Sequence, residues 1–233
     1  MNNELLKVNN LIKFYGNIPA VADVNFVIEA GKIVGLLGPN GCGKTTIMKI
    51  IAGLIKDYTG SVYVLGEPVG VNSKAAISYL PEKTYLSDWM KPSYAIDYMA
   101  DFYADFDKNK AAEMLMRFQL IENKPLKTFS KGMQEKVQLI LVMSRAAKLY
   151  LLDEPLSGID PASRDTLLDI ILKNYAENSS VLLSTHLIYD VERIFDNVIF
   201  MNYGRILLSD SVDNIRQNTG KTVDEHFRDI FRQ

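Results

Sequence analysis

The stretch GPNGCGKTT at residues 38–46 constrains the fold more than any other part of the chain. It matches the phosphate-binding pattern G-x-x-x-x-G-K-[ST], with the apolar run KIVGLLG before it and the helical pattern KTTIMKIIAGL after it. An unbroken apolar run is typical of a strand buried on both faces of a parallel sheet. Because phosphate binding needs this order of strand, loop and helix, the sequence predicts an α/β protein with an anion site at the helix start.

Each part of this loop has an expected role. Its glycines let backbone N–H groups close around phosphates, Lys44 reaches the β and γ oxygens, and Thr45 offers a hydroxyl to Mg²⁺. An ordinary glycine turn is the alternative, although the pattern arises by chance in only about one per cent of chains of this length. The predicted binding residues are Gly38, Pro39, Asn40, Gly41, Cys42, Gly43, Lys44, Thr45 and Thr46.

Composition excludes several other classes of protein. The 26 basic and 28 acidic residues give a net charge of −2, so we expect no nucleic-acid partner. Cys42 is the one cysteine, which excludes an internal disulfide and a cysteine-cluster metal site. The most apolar stretch, residues 137–143, is too short to span a bilayer, and MNNELLKVNN lacks the regions of a signal peptide. We therefore expect a cytoplasmic globular protein.

Strand patterns alternate with helical patterns along most of the chain, which predicts a mostly parallel sheet. The N-terminal stretches ELLKVNNLI and VADVNFVIE have strand patterns, the second with Val24, Phe26 and Ile28 in alternation. Residues 86–147 are helical in pattern, so we expect them to form an inserted subdomain. The tail from Ser211 has a polar helical pattern to which we assign no chemistry.

Two acidic residues follow the buried strand pattern LYLLDEP. Beside a phosphate loop, phosphoryl transfer needs one carboxylate near the metal and another that orients the attacking water. We therefore assign Asp153 to Mg²⁺ and Glu154 to the general base, the alternative being solvated turn acids before a proline. His186 ends the strand VLLSTH, at the edge of a parallel sheet where ligands bind, although a structural role is the alternative. His226, in the tail, is expected at the surface.

A second helix start suited to an anion lies at TFSKGMQ, residues 128–134. Ser130 can cap this helix, and Gly132 leaves its first turn open. A merely well-capped helix is the alternative, but glycine in a helix costs roughly 0.5–1 kcal/mol relative to alanine. Close approach of a γ-phosphate from another subunit explains that glycine better.

With these features together, the chain resembles the ATP-binding cassette (ABC) ATPases along nearly its whole length. GPNGCGKTT is similar to the family's Walker A motif, LYLLDEP to Walker B, FSKGMQ to the signature and SGID, residues 157–160, to the D-loop. His186 matches the switch histidine, and Tyr15 in FYGN matches the aromatic residue that stacks on adenine. The resemblance implies ATP and Mg²⁺ as cofactors.

The implied fold is a P-loop NTPase of the ABC-ATPase type. It has a mostly parallel sheet core, an N-terminal antiparallel β subdomain and an inserted helical subdomain. On this basis the chain, 1–233, is a single ABC ATPase domain, with 1–85 and 148–233 as the nucleotide-binding core and 86–147 as the helical, signature-bearing insertion.

The resemblance also implies a head-to-tail dimer with two ATP molecules between the subunits. Ser130 and Gly132 would donate to the partner's γ-phosphate, and Asp160 would lie at the shared interface. Lys131 either adds charge near that phosphate or is a solvated lysine. The sequence leaves open whether the pair is a homodimer or a heterodimer with a paralogue.

Two positions depart from the family pattern. Met133 occupies the usual glutamine position of the signature, and Glu82 in YLPEK occupies the position of a glutamine in the loop after the strand. The carboxylate of Glu82 can still bind Mg²⁺ or hold the attacking water, so we count it among the catalytic and metal-binding candidates.

The resemblance implies the ATPase subunit of a bacterial-type ABC transporter whose multi-spanning permease is a separate chain. Such a subunit lies on the inner face of the cell membrane, bound through its permease. The YLPE loop and the SKGMQ signature are more similar to export systems than to nutrient importers. Tyr85, Leu86, Trp89 and Met90 belong either to the subdomain core or to a cleft for a helix of the permease.

A soluble ABC-type ATPase, acting as a regulatory switch or on translation or DNA, is the alternative function. Ribosome-associated members normally carry two cassettes in one chain, and this chain carries one. DNA-repair members have a long coiled-coil insertion, and no sustained heptad run occurs here. A nucleotide sensor that does not hydrolyse ATP agrees poorly with the intact Glu154.

Overall fold

The computed structural model describes residues 3–120 and 123–232. The strands are β1 (Glu4–Tyr15), β2 (Ile18–Glu29), β3 (Ile33–Leu37), β4 (Thr59–Val64), β5 (Glu67–Pro68), β6 (Ile77–Leu80), β7 (Leu149–Asp153), β8 (Ser180–Thr185), β9 (Asn197–Asn202) and β10 (Arg205–Ser211). The helices are α1 (Lys44–Ile51), α2 (Val71–Ala75), α3 (Pro92–Phe102), α4 (Lys108–Arg117), α5 (Lys131–Met143), α6 (Pro161–Asn174), α7 (Ile188–Val191), α8 (Val212–Thr219) and α9 (Val223–Phe231). Short 3₁₀ turns lie at Leu126–Thr128 and Glu192–Ile194.

The strand before the glycine-rich loop lies inside a six-stranded sheet of order β10-β9-β3-β8-β7-β6. β3 pairs in parallel with β8 and β9, and all its residues are buried, which explains its unbroken apolar pattern. Only β10 runs antiparallel in this sheet, through its pairing with β9. The prediction of a mostly parallel α/β core is therefore confirmed.

The N-terminal strands form a separate antiparallel sheet of order β2-β1-β4-β5. The predicted alternation on β2 is confirmed, because Val24, Phe26 and Ile28 are buried while their neighbours are more exposed. These side chains pack with Leu36 of β3 and Ile47 of α1. Helix α1 is thus held between the two sheets, which positions the phosphate loop at its start.

The helices between β6 and β7 cover the other face of the large sheet. Their apolar side chains share one core with Leu37, Tyr150 and Leu152. The buried hydroxyl of Tyr150 donates to the carbonyl oxygen of Arg145 at 2.5 Å, which fixes the end of this helical block to β7. The division into a core of 1–85 and 148–233 and an insertion of 86–147 stays a prediction.

The C-terminal tail packs more tightly than its polar pattern indicated. Val223 of α9 is buried, and the ring of Phe227 packs edge-on against Phe200 with centroids 5.2 Å apart. His226 is half-buried, with its ring centroid 6.1 Å from that of Phe200, rather than fully at the surface. Within the described ranges, no helix combines the length and apolarity that crossing a bilayer requires.

Candidate functional site

A cleft of about 440 Å³ opens at the carboxyl end of β3. It lies between the N-terminal sheet, the start of α1 and the segments that follow β6 and β7. Its wall consists of Tyr15, Ala20, Asn40, Gly41, Gly43, Lys44, Thr45, Thr46, Glu82 and Glu154. The fold therefore brings together residues that are up to 139 positions apart, since Tyr15 and Glu154 both line it.

The glycine-rich loop requires glycine for steric reasons. Gly43, the N-cap of α1, has φ of 109°, and a Cβ there would lie 2.3 Å from the carbonyl oxygen of Ala20. Its missing side chain also leaves the first turn of α1 without a side-chain cap. The positive end of the α1 dipole thus lies at the wall of the cleft, as an anion site requires.

Lys44 places one buried cation in this site. Its side chain is 5% exposed, and Nζ donates to the carbonyl oxygens of Gly38 at 2.8 Å and Pro39 at 3.2 Å. The same Nζ lies 3.2 Å from Oε1 of Glu154. These contacts hold the ammonium group against the loop, where a phosphate would meet it.

Asp153 ends β7 and is only 1% exposed. Its Oδ1 accepts hydrogen bonds from Ser184 Oγ at 2.6 Å and Thr45 Oγ1 at 3.1 Å. Burial raises the pKa of this carboxyl group, and the bonds from Ser184 and Thr45 oppose that rise. On the other oxygen, Tyr79 donates its hydroxyl to Oδ2 at 3.5 Å.

These groups could hold a magnesium ion. In the part of the chain that the structure describes, no group of three or more His, Cys, Asp or Glu side chains could hold a metal by itself. The Asp153 carboxylate and the Thr45 hydroxyl offer oxygen ligands close together. That set fits Mg²⁺, which takes most of its other ligands from substrate phosphates and water.

Glu154 directs its carboxylate between Lys44 and His186. Its backbone has a positive φ of 50°, and its N–H donates to the carbonyl oxygen of Ser184 at 3.1 Å and to Ser184 Oγ at 3.0 Å. Oε2 lies 2.9 Å from Nδ1 of His186. Oε1, although close to Lys44, is buried without a hydrogen bond in the described chain, so it can accept a proton or a hydrogen bond from a ligand.

Of the other predicted residues, Tyr15 and Glu82 line the cleft, and three residues of the loop do not. Tyr15 is 52% exposed in the cleft wall, with the ammonium of Lys13 5.2 Å from its ring centroid. Glu82 is exposed and lines the same wall. Gly38, Pro39 and Cys42 do not line the cleft, although the carbonyl oxygens of Gly38 and Pro39 accept hydrogen bonds from Lys44.

Ser130, Lys131 and Gly132 lie at the start of α5, outside the described wall of the cleft. Ser130 accepts a hydrogen bond from the N–H of Met133 at 3.3 Å, so its predicted capping role is confirmed. A Cβ on Gly132 would meet no heavy atom of the described residues within 4 Å. The glycine is therefore not required by packing inside this chain.

Asp160 lies outside the cleft wall as well and caps α6 by accepting a hydrogen bond from Ser163 N–H at 3.0 Å. That bond lowers the pKa of the Asp160 carboxyl group. The SGID segment lies against the start of α5. Nζ of Lys131 lies so close to Gly158 that a Cβ on this glycine would be only 2.5 Å from it. The predicted dimer-facing residues thus form a second surface of the chain.

Sequence reasoning missed Ser184 and Tyr79. Ser184 pairs in register with Asp153 across β7 and β8, and it contacts both Asp153 and Glu154. A hydroxyl two residues before His186 was the available signal for Ser184. Tyr79 carried no motif signal, because its contact depends on how β6 and β7 align.

Comparisons with known proteins agree with this geometry. The family model for the ABC transporter matches residues 21–157. An ABC transporter ATP-binding protein of Synechocystis sp. is 30% identical over 86% of this chain, which spans only 59% of that protein's length. The lantibiotic transport ATP-binding protein SrtF of Streptococcus pyogenes is 32% identical over 90% of this chain and 92% of its own. A solved ATP-binding subunit of an ABC transporter superposes with a TM-score of 0.87 at 28% identity, covering 97% of this chain and 99% of that one.

The environment of Cys42 generates a prediction. Its thiol is buried in the core around α1, and burial raises its pKa, so little reactive thiolate is present at neutral pH. We expect Ellman's reagent to modify the native protein far more slowly than the unfolded protein. Because Cys42 is the only cysteine, the absorbance trace reports this site alone. Equal rates in native buffer and in guanidinium chloride would contradict the buried position.

Proposed function

The chain belongs to the ABC transporter family and is an ATPase of that family, and we propose that it drives a separate membrane permease by binding and hydrolysing ATP. The cleft that joins Tyr15, the phosphate loop, Glu82 and Glu154 carries this proposal. Its shape and charge suit a nucleotide, since an aromatic ring lies at one part of the wall and a buried cation at another.

Within the cleft, Tyr15 would stack on the adenine base, which is typically worth roughly 1–3 kcal/mol. The backbone of the loop and the start of α1 would bind the phosphates, and Lys44 would transfer its contacts from the loop carbonyls to phosphate oxygens. Asp153, Thr45 and Glu82 would hold Mg²⁺. That ion, when bound, neutralises charge on the β and γ phosphates.

Hydrolysis is assigned to Glu154 and His186. Glu154 is the general base, because its Oε1 is buried and free of hydrogen bonds in the described chain. His186 holds the other carboxylate oxygen at 2.9 Å and so orients it. Once Lys44 binds phosphate, its contact with Oε1 of Glu154 is released, which leaves this oxygen open to the attacking water.

The working unit is proposed to be a head-to-tail dimer, either of this chain or with a paralogue. Ser130, Lys131 and Gly132 would face the γ-phosphate of the partner, and Asp160 would lie at the interface. The open space at Gly132 supports this, since nothing within the described chain uses it.

The permease is proposed to dock in a second groove, of about 370 Å³, on the other side of α1. The groove has apolar walls from Leu54, Tyr85, Met99 and Tyr103, and it suits a helix from a cytoplasmic loop of the permease. Of the residues predicted for such a cleft, Leu86 and Met90 belong to the core instead. Trp89 is 60% exposed, and its ring is tilted against that of Tyr94 with centroids 5.2 Å apart.

We place the protein on the cytoplasmic face of the membrane and propose export as the direction of transport. The YLPEK loop and the SKGMQ signature support export. SrtF, named for lantibiotic transport, is compatible with that direction.

Replacement of the general base tests hydrolysis. We expect Glu154→Gln to lower the turnover number about 10²–10⁴-fold while ATP binding remains, because only the proton acceptor is lost. The measurement is phosphate release under saturating MgATP, with Glu177→Gln, an exposed glutamate, as the matched control. Full activity in Glu154→Gln would contradict the assignment.

A substitution at the second helix start tests dimerisation. In the Glu154→Gln background, we expect Ser130→Arg to abolish the ATP-dependent dimer in size-exclusion chromatography, because its side chain would fill the space for the partner's phosphate. Ser130→Ala removes only the cap, worth about 1 kcal/mol, and controls for stability. A dimer that survives Ser130→Arg would refute this interface.

A charge in the groove tests docking. Leu54 is 60% exposed at the groove wall, so Leu54→Glu should leave the fold and basal hydrolysis intact. We expect it to prevent stimulation of ATP hydrolysis by a permease that co-purifies with the unaltered chain, measured in reconstituted vesicles. Leu207→Glu, an exposed leucine on β10, is the control. Equal stimulation of both variants would rule out this groove.

A further inference from the structure

One side chain, Tyr79, belongs both to the docking groove and to the magnesium site. Its ring lines the groove together with Ile77 and Ser78 of β6. Its hydroxyl donates to Oδ2 of Asp153 at 3.5 Å. Tyr79 thus connects the groove with the carboxylate that we propose as a magnesium ligand.

The strand register explains this position. Tyr79 on β6 pairs with Leu151 on the parallel strand β7, and Asp153 is two residues further along β7. Side chains two residues apart lie on the same face of a sheet, so Tyr79, Leu151 and Asp153 share one face. A tyrosine side chain that leans along its strand reaches the carboxylate, which a shorter residue would not.

The hydroxyl of Tyr79 supplies a hydrogen-bond donor to the second carboxylate oxygen of Asp153. Thr45 and Ser184 both donate to Oδ1, whereas Tyr79 is the donor to Oδ2 within the described chain. Asp153 is buried, so water does not replace a lost donor at low cost.

We infer that Tyr79 is a positioning residue that couples occupancy of the docking groove to the orientation of the Asp153 carboxylate. At 3.5 Å the bond is at the long limit, and the ring borders open space in the groove. A group packed into the groove restrains the ring and strengthens this bond. Asp153 is then held in one orientation before Mg²⁺ arrives. This inference rests on the proposed function for the roles of Asp153 and the groove.

Removal of the hydroxyl is the first test. We expect Tyr79→Phe to raise the Mg²⁺ concentration for half-maximal binding of a fluorescent ATP analogue about five-fold, because a bond of 3.5 Å contributes less than a shorter hydrogen bond to a carboxylate. Binding of the analogue in EDTA should not change. Tyr85→Phe removes a hydroxyl from the same groove without contact to Asp153 and should behave as the unaltered protein. Thermal unfolding shows whether both variants fold.

Filling the groove is the second test. Leu54→Cys places an exposed thiol at the groove wall, and the buried Cys42 is protected, so N-benzylmaleimide labels the new site selectively. We expect the label to lower the Mg²⁺ requirement for nucleotide binding, and to have no such effect when Tyr79→Phe is also present. The ¹⁹F resonance of Tyr79 in 3-fluorotyrosine-labelled protein should shift on labelling.

The outcomes separate this inference from the function on which it rests. If Tyr79→Phe binds the Mg²⁺-nucleotide as the unaltered chain does, or if the label acts equally with and without the Tyr79 hydroxyl, the coupling is wrong while the ATPase proposal stands. If the unaltered chain binds no nucleotide with Mg²⁺, both proposals fail. A label on Leu207→Cys, away from the groove, controls for a general effect of modification.

Discussion

The buried carboxylate of Asp153 is the constraint on which the rest of the site depends. A carboxylate at the end of an apolar strand is costly unless donors surround it, and here they come from different elements. Thr45 belongs to α1, Ser184 to β8 and Tyr79 to β6. Hydrogen bonds to a charged group contribute about 1.5–3 kcal/mol each, so stabilising this anion also fixes three elements relative to β7. The bonds that make the site rigid thus also hold in place the carboxylate that we propose as a metal ligand.

The two sheets impose a second constraint, on the phosphate loop. A Cβ on Gly38 would lie 2.4 Å from the carbonyl oxygen of Met201 on β9, and one on Gly43 would collide with Ala20 on β2. The loop is therefore pressed between the large sheet and the N-terminal sheet. Close packing therefore requires these glycines, independently of the phosphate binding that we propose for the loop.

Local sequence patterns were sufficient to predict the strands and the loop around the cleft. The apolar run of β3, the following glycine loop and the alternation on β2 predicted the elements that position the cleft. Local sequence patterns did not predict the contacts that depend on how the strands align in the sheet. Ser184 meets Asp153 and Tyr79 approaches it because parallel strands align in a particular way, which no motif specifies. The tail was misjudged for a related reason: its polar residues obscured the spacing of Val223 and Phe227, whose packing depends on the distant Phe200.

The ion pair between Lys44 and Glu154 connects the phosphate loop with the segment that follows β7. With no phosphate near it, the buried ammonium needs partners, and it finds them in two loop carbonyls and one oxygen of Glu154. In the proposed function, a nucleotide would supply several stronger anionic partners and so would draw the cation away from Glu154. Under the proposed function, the Glu154 carboxylate is therefore paired with Lys44 while the cleft holds no nucleotide and is released from that pair when a nucleotide binds. Because His186 contacts the other oxygen, this release leaves the carboxylate oriented as well as charged.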